Sequence, residues 1–307
     1  MTLAPLQSGR QARGRAFGKV ILTGEHAVVH GHAALAAPLK SAWVDATVDT
    51  IDGDLLVETT QSSIETHGVA AVARAALNAF GREGKGLRVY IESNIPPRAG
   101  LGSSAATALA TVRAVAAACS ERLSEKQLLE LADVGEQIAH GRASGVDTAA
   151  SQADGVIHFL VGTPPVPVPL ASPFWLIVGD SGIPRNTRQA VRAVTEQPES
   201  RRLEAFSQID RATAQMEASL QSGQLSRAGQ ALDLAHCALE YLGLNTPPLE
   251  RMRRAARNAG ALGAKLTGAG LGGCIIALAA SENEALRIQE SLLETGAANT
   301  FVERLAP

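Results

Sequence analysis

Apolar residues recur along this chain at two spacings. Between Trp43 and Thr50, Val44, Ala46 and Val48 alternate with polar neighbours, the two-residue period of a half-buried strand. Lys19–Leu22 and Gly86–Glu92 read as further strands, and Thr66–Phe80 as a helix. From Ser104 to Cys119 an alanine-rich run is broken only by Thr107, Thr111 and Arg113, which predicts a buried helix. Ser124 with Gln127 three positions on is a capping-box pattern, opening a helix to about His140.

The second half has its own order. A strand at about Trp175–Gly179 precedes Pro184 and a helix from about Thr187. Two long helices follow, near Ser200–Gln221 and Gln224–Leu242, the second closing at Gly243, and another starts around Pro248. A strand at Ala264–Thr267, a glycine turn and a strand at Cys274–Leu278 come next. Ser281 with Glu284 caps a last helix before a strand near Thr300–Arg304. With the extra helices set aside this is β-α-β-β-α-β, a ferredoxin-like order. The uncharged run from Gly155 to Gly179 is long enough to span a bilayer, but Pro164, Pro165, Pro167, Pro169 and Pro173 would break such a helix repeatedly. It reads as a strand, a stiffened connection and a second strand, and it is where a domain boundary is expected. The expectation is an α+β protein of two domains, residues 1–167 and 168–307.

Composition narrows the function classes. A chain of 307 residues suits two domains, with 28 Lys and Arg against 30 Asp and Glu. That balance lacks the basic excess of nucleic-acid binders, and 3% aromatics argues against base-stacking platforms. Cys119, Cys237 and Cys274 are scattered without metal spacing, so each reads as a buried small hydrophobe in a reducing, cytoplasmic setting. The N-terminus carries Arg10, Arg13 and Arg15 but no apolar core, so it reads as a short tail, with a transit peptide as the alternative. No membrane association is expected.

The 29 glycines include two clusters. Gly268-Ala269-Gly270-Leu271-Gly272-Gly273 matches G-x-G-x-x-G, but it joins two strands where a dinucleotide fingerprint needs a strand and then a helix. Pro96-Pro97-Arg98-Ala99-Gly100-Leu101-Gly102-Ser103-Ser104 runs straight into the alanine-rich helix. Its backbone N–H groups and the helix N-terminus suit phosphate, with Ser103 or Ser104 as the cap. A tight turn with an ordinary cap is the alternative.

Three segments together resemble the GHMP kinases, in family order: Gly18-Lys19-Val20-Ile21-Leu22-Thr23-Gly24-Glu25-His26-Ala27-Val28-Val29-His30-Gly31, the loop Pro96 to Ala106, and Lys265-Leu266-Thr267-Gly268-Ala269-Gly270. The first segment, with Ser144-Gly145-Val146-Asp147 and Pro184-Arg185-Asn186-Thr187, is most similar to the mevalonate-phosphorylating branch. Phe17, Arg98, Arg142-Ala143 and Leu271 depart from the family text.

The resemblance implies a two-domain GHMP-kinase architecture: an N-terminal α/β domain with the phosphate loop and a ferredoxin-like C-terminal domain. It implies transfer of phosphate from ATP to mevalonate, with Mg²⁺ as cofactor. Asp147 is then the base and Lys19 its helper, while Pro97, Arg98, Ala99, Gly100, Leu101, Gly102, Ser103 and Ser104 bind ATP. Ser104 and Glu136 become metal ligands. Glu136 has an argument of its own: it shares an apolar helix face with Leu129, Ala132 and Ala139, where an acid is costly without a partner. Glu25, His26, Thr187, Arg188 and Thr267 are the implied acceptor contacts.

Plainer readings stay open at this level. Asp147 fits a helix N-terminal charge, Lys19 a snorkelling surface lysine, Glu136 a salt bridge and Arg188 a solvated helix start. A sister kinase acting on phosphomevalonate or homoserine is the first alternative function, and a non-catalytic nucleotide-binding relative the second. A homodimer is compatible with all of these.

Overall fold

The computed structural model describes residues 11–83, 86–140 and 144–307, apart from the side chains of 136 and 138–140. The chain forms two compact units, neither of them continuous in sequence. The first takes the chain through Gly18, Ala42–Pro97 and Gly102–Gln152; the second takes Lys19–Ser41, Arg98–Leu101 and Ala153–Pro307.

In the first unit the later part of β2 (Ala34–Thr50) pairs antiparallel with β4 (Leu87–Ser93), placing Val44 opposite Ser93 and Thr50 opposite Leu87. The two-residue rhythm is borne out: Val44, Ala46 and Val48 are buried between half-buried neighbours. A short β3 (Leu56–Thr59) pairs parallel with β4, and α1 (Thr66–Ala79) makes the crossover between them. α2 (Ser103–Cys119) packs against α1, α3 (Glu125–His140) and α4 (Val146–Gln152). It is buried nearly all round, as its alanine-rich text predicts. The expected capping box also forms: the Gln127 N–H donates to Ser124 Oγ, and the Ser124 N–H to Gln127 Oε1.

In the second unit the early part of β2 pairs with β5 (Ile157–Phe159), and β5 with β6 (Val166–Pro167). The residue-167 boundary expected above lies inside this unit, because the start of β2 belongs to the same sheet as β5. Beyond it, β7 (Phe174–Asp180), β8 (Gly263–Thr267), β9 (Cys274–Ala279) and β10 (Asn299–Leu305) form an antiparallel sheet in the order β10-β7-β9-β8. That is the ferredoxin-like arrangement read from the element order. Helices α8 (Pro247–Asn258) and α9 (Glu282–Glu294) pack on this sheet, and Ser281 and Glu284 close the capping box at the start of α9. The extra helices α5 (Thr187–Thr195), α6 (Glu199–Ser222) and α7 (Leu225–Tyr241) precede α8. α6 and α7 pack along each other after a turn at Gly223, and α7 lies against β8. Phe206, Ile209, Leu239, Leu249, Ile275 and Leu292 belong to this unit's core.

Candidate active site

The chemistry-bearing residues fall into two groups, one in each unit. In the second unit, β1 (Ala12–Thr23) carries Lys19, which is 1% exposed. A snorkelling surface lysine is therefore not what this position holds. The Lys19 N–H donates to the carbonyl of Leu101 at 2.9 Å, which fixes the end of the Arg98–Leu101 stretch. The other end is held by the Arg185 N–H, which donates to the Arg98 carbonyl at 3.2 Å. Arg98 has φ 55 and Gly100 φ 93, left-handed backbone that glycine adopts without steric cost. The departure at Arg98 thus places a long side chain, exposed, on a conformation that suits a small residue.

The Arg185 side chain lies over this stretch. A methyl group on Gly100 would stand 3.2 Å from its guanidinium, and one on Gly268 would stand 2.8 Å from Nη1. The same added group on Gly268 would be 3.7 Å from the Gly100 carbonyl, so the second and third quoted segments meet here. The third segment is a turn between antiparallel β8 and β9, with no helix following the glycines, so it is not a dinucleotide fingerprint. Leu271 has φ 58 within that turn, and its N–H donates to the Leu244 carbonyl at 2.9 Å.

Glu25 and His26 follow the end of β1. Glu25 is 3% exposed, and its Oε1 accepts from the fully buried Lys265 on β8. His26 has φ 61 and starts a single helical turn, Ala27–His30. Its Nε2 lies 2.9 Å from the Ala269 carbonyl, to which it donates, and burial pushes its pKa below the usual histidine value. A neutral ring donating from Nε2 keeps Nδ1 as an acceptor. Thr267 brackets Ile21: its Oγ1 donates to the Ile21 carbonyl at 3.0 Å and accepts the Ile21 N–H at 3.2 Å. Its hydroxyl hydrogen is thereby engaged by the protein. Thr187 and Arg188 are exposed in the first turn of α5, which Asn186 caps by accepting from the Gln189 N–H at 3.1 Å.

In the first unit, Gly102 has φ 76 and precedes α2, whose first two residues are Ser103 and Ser104. The expectation that one of these serines caps the helix is corrected. Gly102 is the cap residue, no side chain caps, and both serines stand inside the first turn, where helix N–H groups lack intrahelical acceptors. No acidic side chain competes in that turn, so the partial positive charge faces whatever anion arrives. Asp147 is half-buried in the first turn of α4, after Gly145 at φ 83. Next to it, the Thr148 hydroxyl donates to Asp133 Oδ1 of α3 at 3.4 Å, and burial raises the Asp133 pKa. Glu136 is on α3, with its side chain outside those described.

Lys265 escaped the sequence reading as a site candidate. It lies within a quoted motif and left a usable signal as a lysine inside an otherwise uncharged strand. The reading of all three cysteines as buried is corrected at Cys237, which is exposed on α7; Cys119 and Cys274 are buried. His30 stacks on Phe206 with ring centroids 5.0 Å apart, and His32 Nδ1 lies 2.8 Å from Asp210.

A glycine-rich loop entering a bare helix N-terminus, a buried lysine strand and a ferredoxin-like partner unit together match a known family in both halves. The family model for the GHMP kinase N-terminal domain matches residues 67–155, and the model for the GHMP kinase C-terminal region matches 216–298. The chain belongs to the GHMP kinases. Within that family it is similar to the mevalonate kinase of Aeropyrum pernix, at 36% identity across 93% of this chain and 94% of that protein. The mevalonate kinase of Thermococcus gammatolerans is 34% identical across 85% and 87%. The crystal structure of L. major mevalonate kinase in complex with R-mevalonate superposes with a TM-score of 0.87 at 28% identity, covering 100% of this chain and 99% of that one. Among the described residues no helix is long and apolar enough to cross a membrane.

Proposed function

We propose that this chain transfers the terminal phosphoryl group of ATP to the 5-hydroxyl of mevalonate, giving 5-phosphomevalonate and ADP. The observation that carries the reading is identity above 30% to mevalonate kinases along nearly the whole length of both chains. The bond from the γ-phosphorus to its bridging oxygen breaks, a bond from that phosphorus to the acceptor oxygen forms, and the hydroxyl proton leaves. Asp147 takes that proton as general base. Lys19 assists, its positive charge favouring the ionised forms of carboxylate and alcohol.

Residues Pro97 to Ser104 hold the ATP phosphates through backbone N–H groups and the start of α2. Glu25, His26, Thr187, Arg188 and Thr267 frame the acceptor, Thr267 through the strand it braces. Ser104 and Glu136 offer a hydroxyl and a carboxylate oxygen, hard donors that suit Mg²⁺ with phosphates and water completing its shell. The ion supplies charge neutralisation on the phosphates when bound. The reading carries a cytoplasmic location with it.

The test is ADP release with mevalonate, phosphomevalonate and homoserine offered in parallel. Turnover with mevalonate is expected. Turnover confined to one of the others makes the chain a sister kinase, and none with any acceptor removes the catalytic reading.

A further inference from the structure

Lys265 is fully buried in β8, a strand with every residue enclosed. Its ammonium donates to Glu25 Oε1, with the Ile21 carbonyl 3.5 Å away. Lys19, another buried lysine, is near enough that its charge opposes that of Lys265. Glu25 is held in turn by its backbone. It follows Gly24 at φ 104, where an added methyl would strike Ala34 at 2.4 Å, so the backbone there is packed tightly against that residue. One oxygen of the pair is left over. Glu25 Oε2 is buried and has no hydrogen-bond partner, and the hydroxyl of Thr23, two residues earlier, is in the same condition.

An unsatisfied buried polar atom costs about 1–3 kcal/mol, and more when it is charged. An ionised carboxylate accepts only, so the partner that Oε2 lacks is a donor. We propose that Lys265 is a positioning residue: it fixes the Glu25 carboxylate so that Oε2 accepts a hydrogen bond from a non-reacting hydroxyl of the acceptor, the 3-hydroxyl in the case of mevalonate. This rests on the acceptor reading above. A site with a fixed, dry acceptor discriminates strongly against an analogue lacking the hydroxyl, because that analogue leaves the acceptor unpaired.

The experiment compares mevalonate with 5-hydroxy-3-methylpentanoate, which keeps the carboxylate, the methyl and the reacting hydroxyl but lacks the 3-hydroxyl. Wild type is expected to prefer mevalonate by about 100-fold or more in kcat/KM. Lys265→Met is expected to shrink that preference at least about tenfold, through the KM for mevalonate and with the KM for ATP unchanged. Because Lys265→Met strands a buried carboxylate and threatens folding, the double variant Glu25→Gln with Lys265→Met is measured beside it. The double variant is expected to recover the thermal midpoint of wild type while the preference stays lost. A wild-type preference below about fivefold, or a preference that survives in the folded double variant, overturns the proposal and leaves the pair a structural one. Failure of the acceptor reading looks different, since wild type would then turn over neither compound.

Discussion

At the scale of single residues, Asp147 carries the sharpest expectation. It occupies the first turn of α4, where a carboxylate also complements the helix dipole, so its helical position alone does not separate base from helix charge. Asp147→Asn separates them, because it keeps size and hydrogen bonding but cannot take a proton. Turnover should fall by about 10²–10⁴-fold, while ATP affinity, read by nucleotide titration without acceptor, stays near wild type. A variant with near-normal kcat would return Asp147 to a role at the helix terminus. The motif residues were legible because each sits in a short contiguous text. The pair Lys265–Glu25 was not, since its members are 240 positions apart and no local pattern marks them as neighbours. The left-handed backbone at Arg98 and Leu271 was equally hidden, because neither residue type favours a positive φ.

At the scale of elements, the ends of strands and the shortest strands were the hardest to read. β2 begins at Ala34, nine positions before the alternating segment, and it runs through Pro38, a residue that ordinarily argues against a strand. β5 has three residues and β6 two, one of them proline, too few for any period to show. Helices with caps came through well: Ser124 with Gln127 and Ser281 with Glu284 mark their starts from four letters each. Contact between elements was not legible at all. Gly229 of α7 and Gly263 of β8 touch backbone to backbone, and a methyl on Gly263 would stand 1.9 Å from the Gly229 carbonyl oxygen. Gly263→Ala should therefore destabilise by at least about 2 kcal/mol by forcing helix from strand. A thermal midpoint unchanged from wild type would show that the helix yields at little cost.

At the scale of the molecule, one source of acid-sensitive stability is the cluster around buried His236. His236 of α7 accepts the Leu266 N–H on Nδ1 at 3.4 Å, and burial holds its pKa down at about 4. Arg253 and Lys265 add to that depression, while Glu250 and Glu240 oppose it. Glu250 is held at about 2, first by its hydrogen bonds to Arg253 and then by those to Arg254 and Asn245. Both groups bind protons more weakly folded than unfolded. The stability they confer is complete above about pH 6.5 and drains away as pH falls, for His236 between 6.5 and about 4 and for Glu250 between 4.5 and about 2. The His236 share amounts to roughly 3 kcal/mol. Denaturant unfolding of His236→Gln should show a flatter loss from pH 6.5 to 4 than wild type, and parallel curves would place the acid sensitivity elsewhere. The two-domain arithmetic and the ferredoxin-like order were readable at this scale, because both follow from length and element sequence. The interleaving of the two units was not, since it depends on which half of β2 meets which partner.

That interleaving has a consequence for the newly made chain. The bracket that Thr267 places on Ile21 joins residues 246 positions apart. Ribosomes add about 5–20 residues per second, so Ile21 waits on the order of ten to fifty seconds for its partner to be translated. For that interval Ile21 lacks the Thr267 hydroxyl, and β1 gains this brace only once β8, late in the chain, has been made.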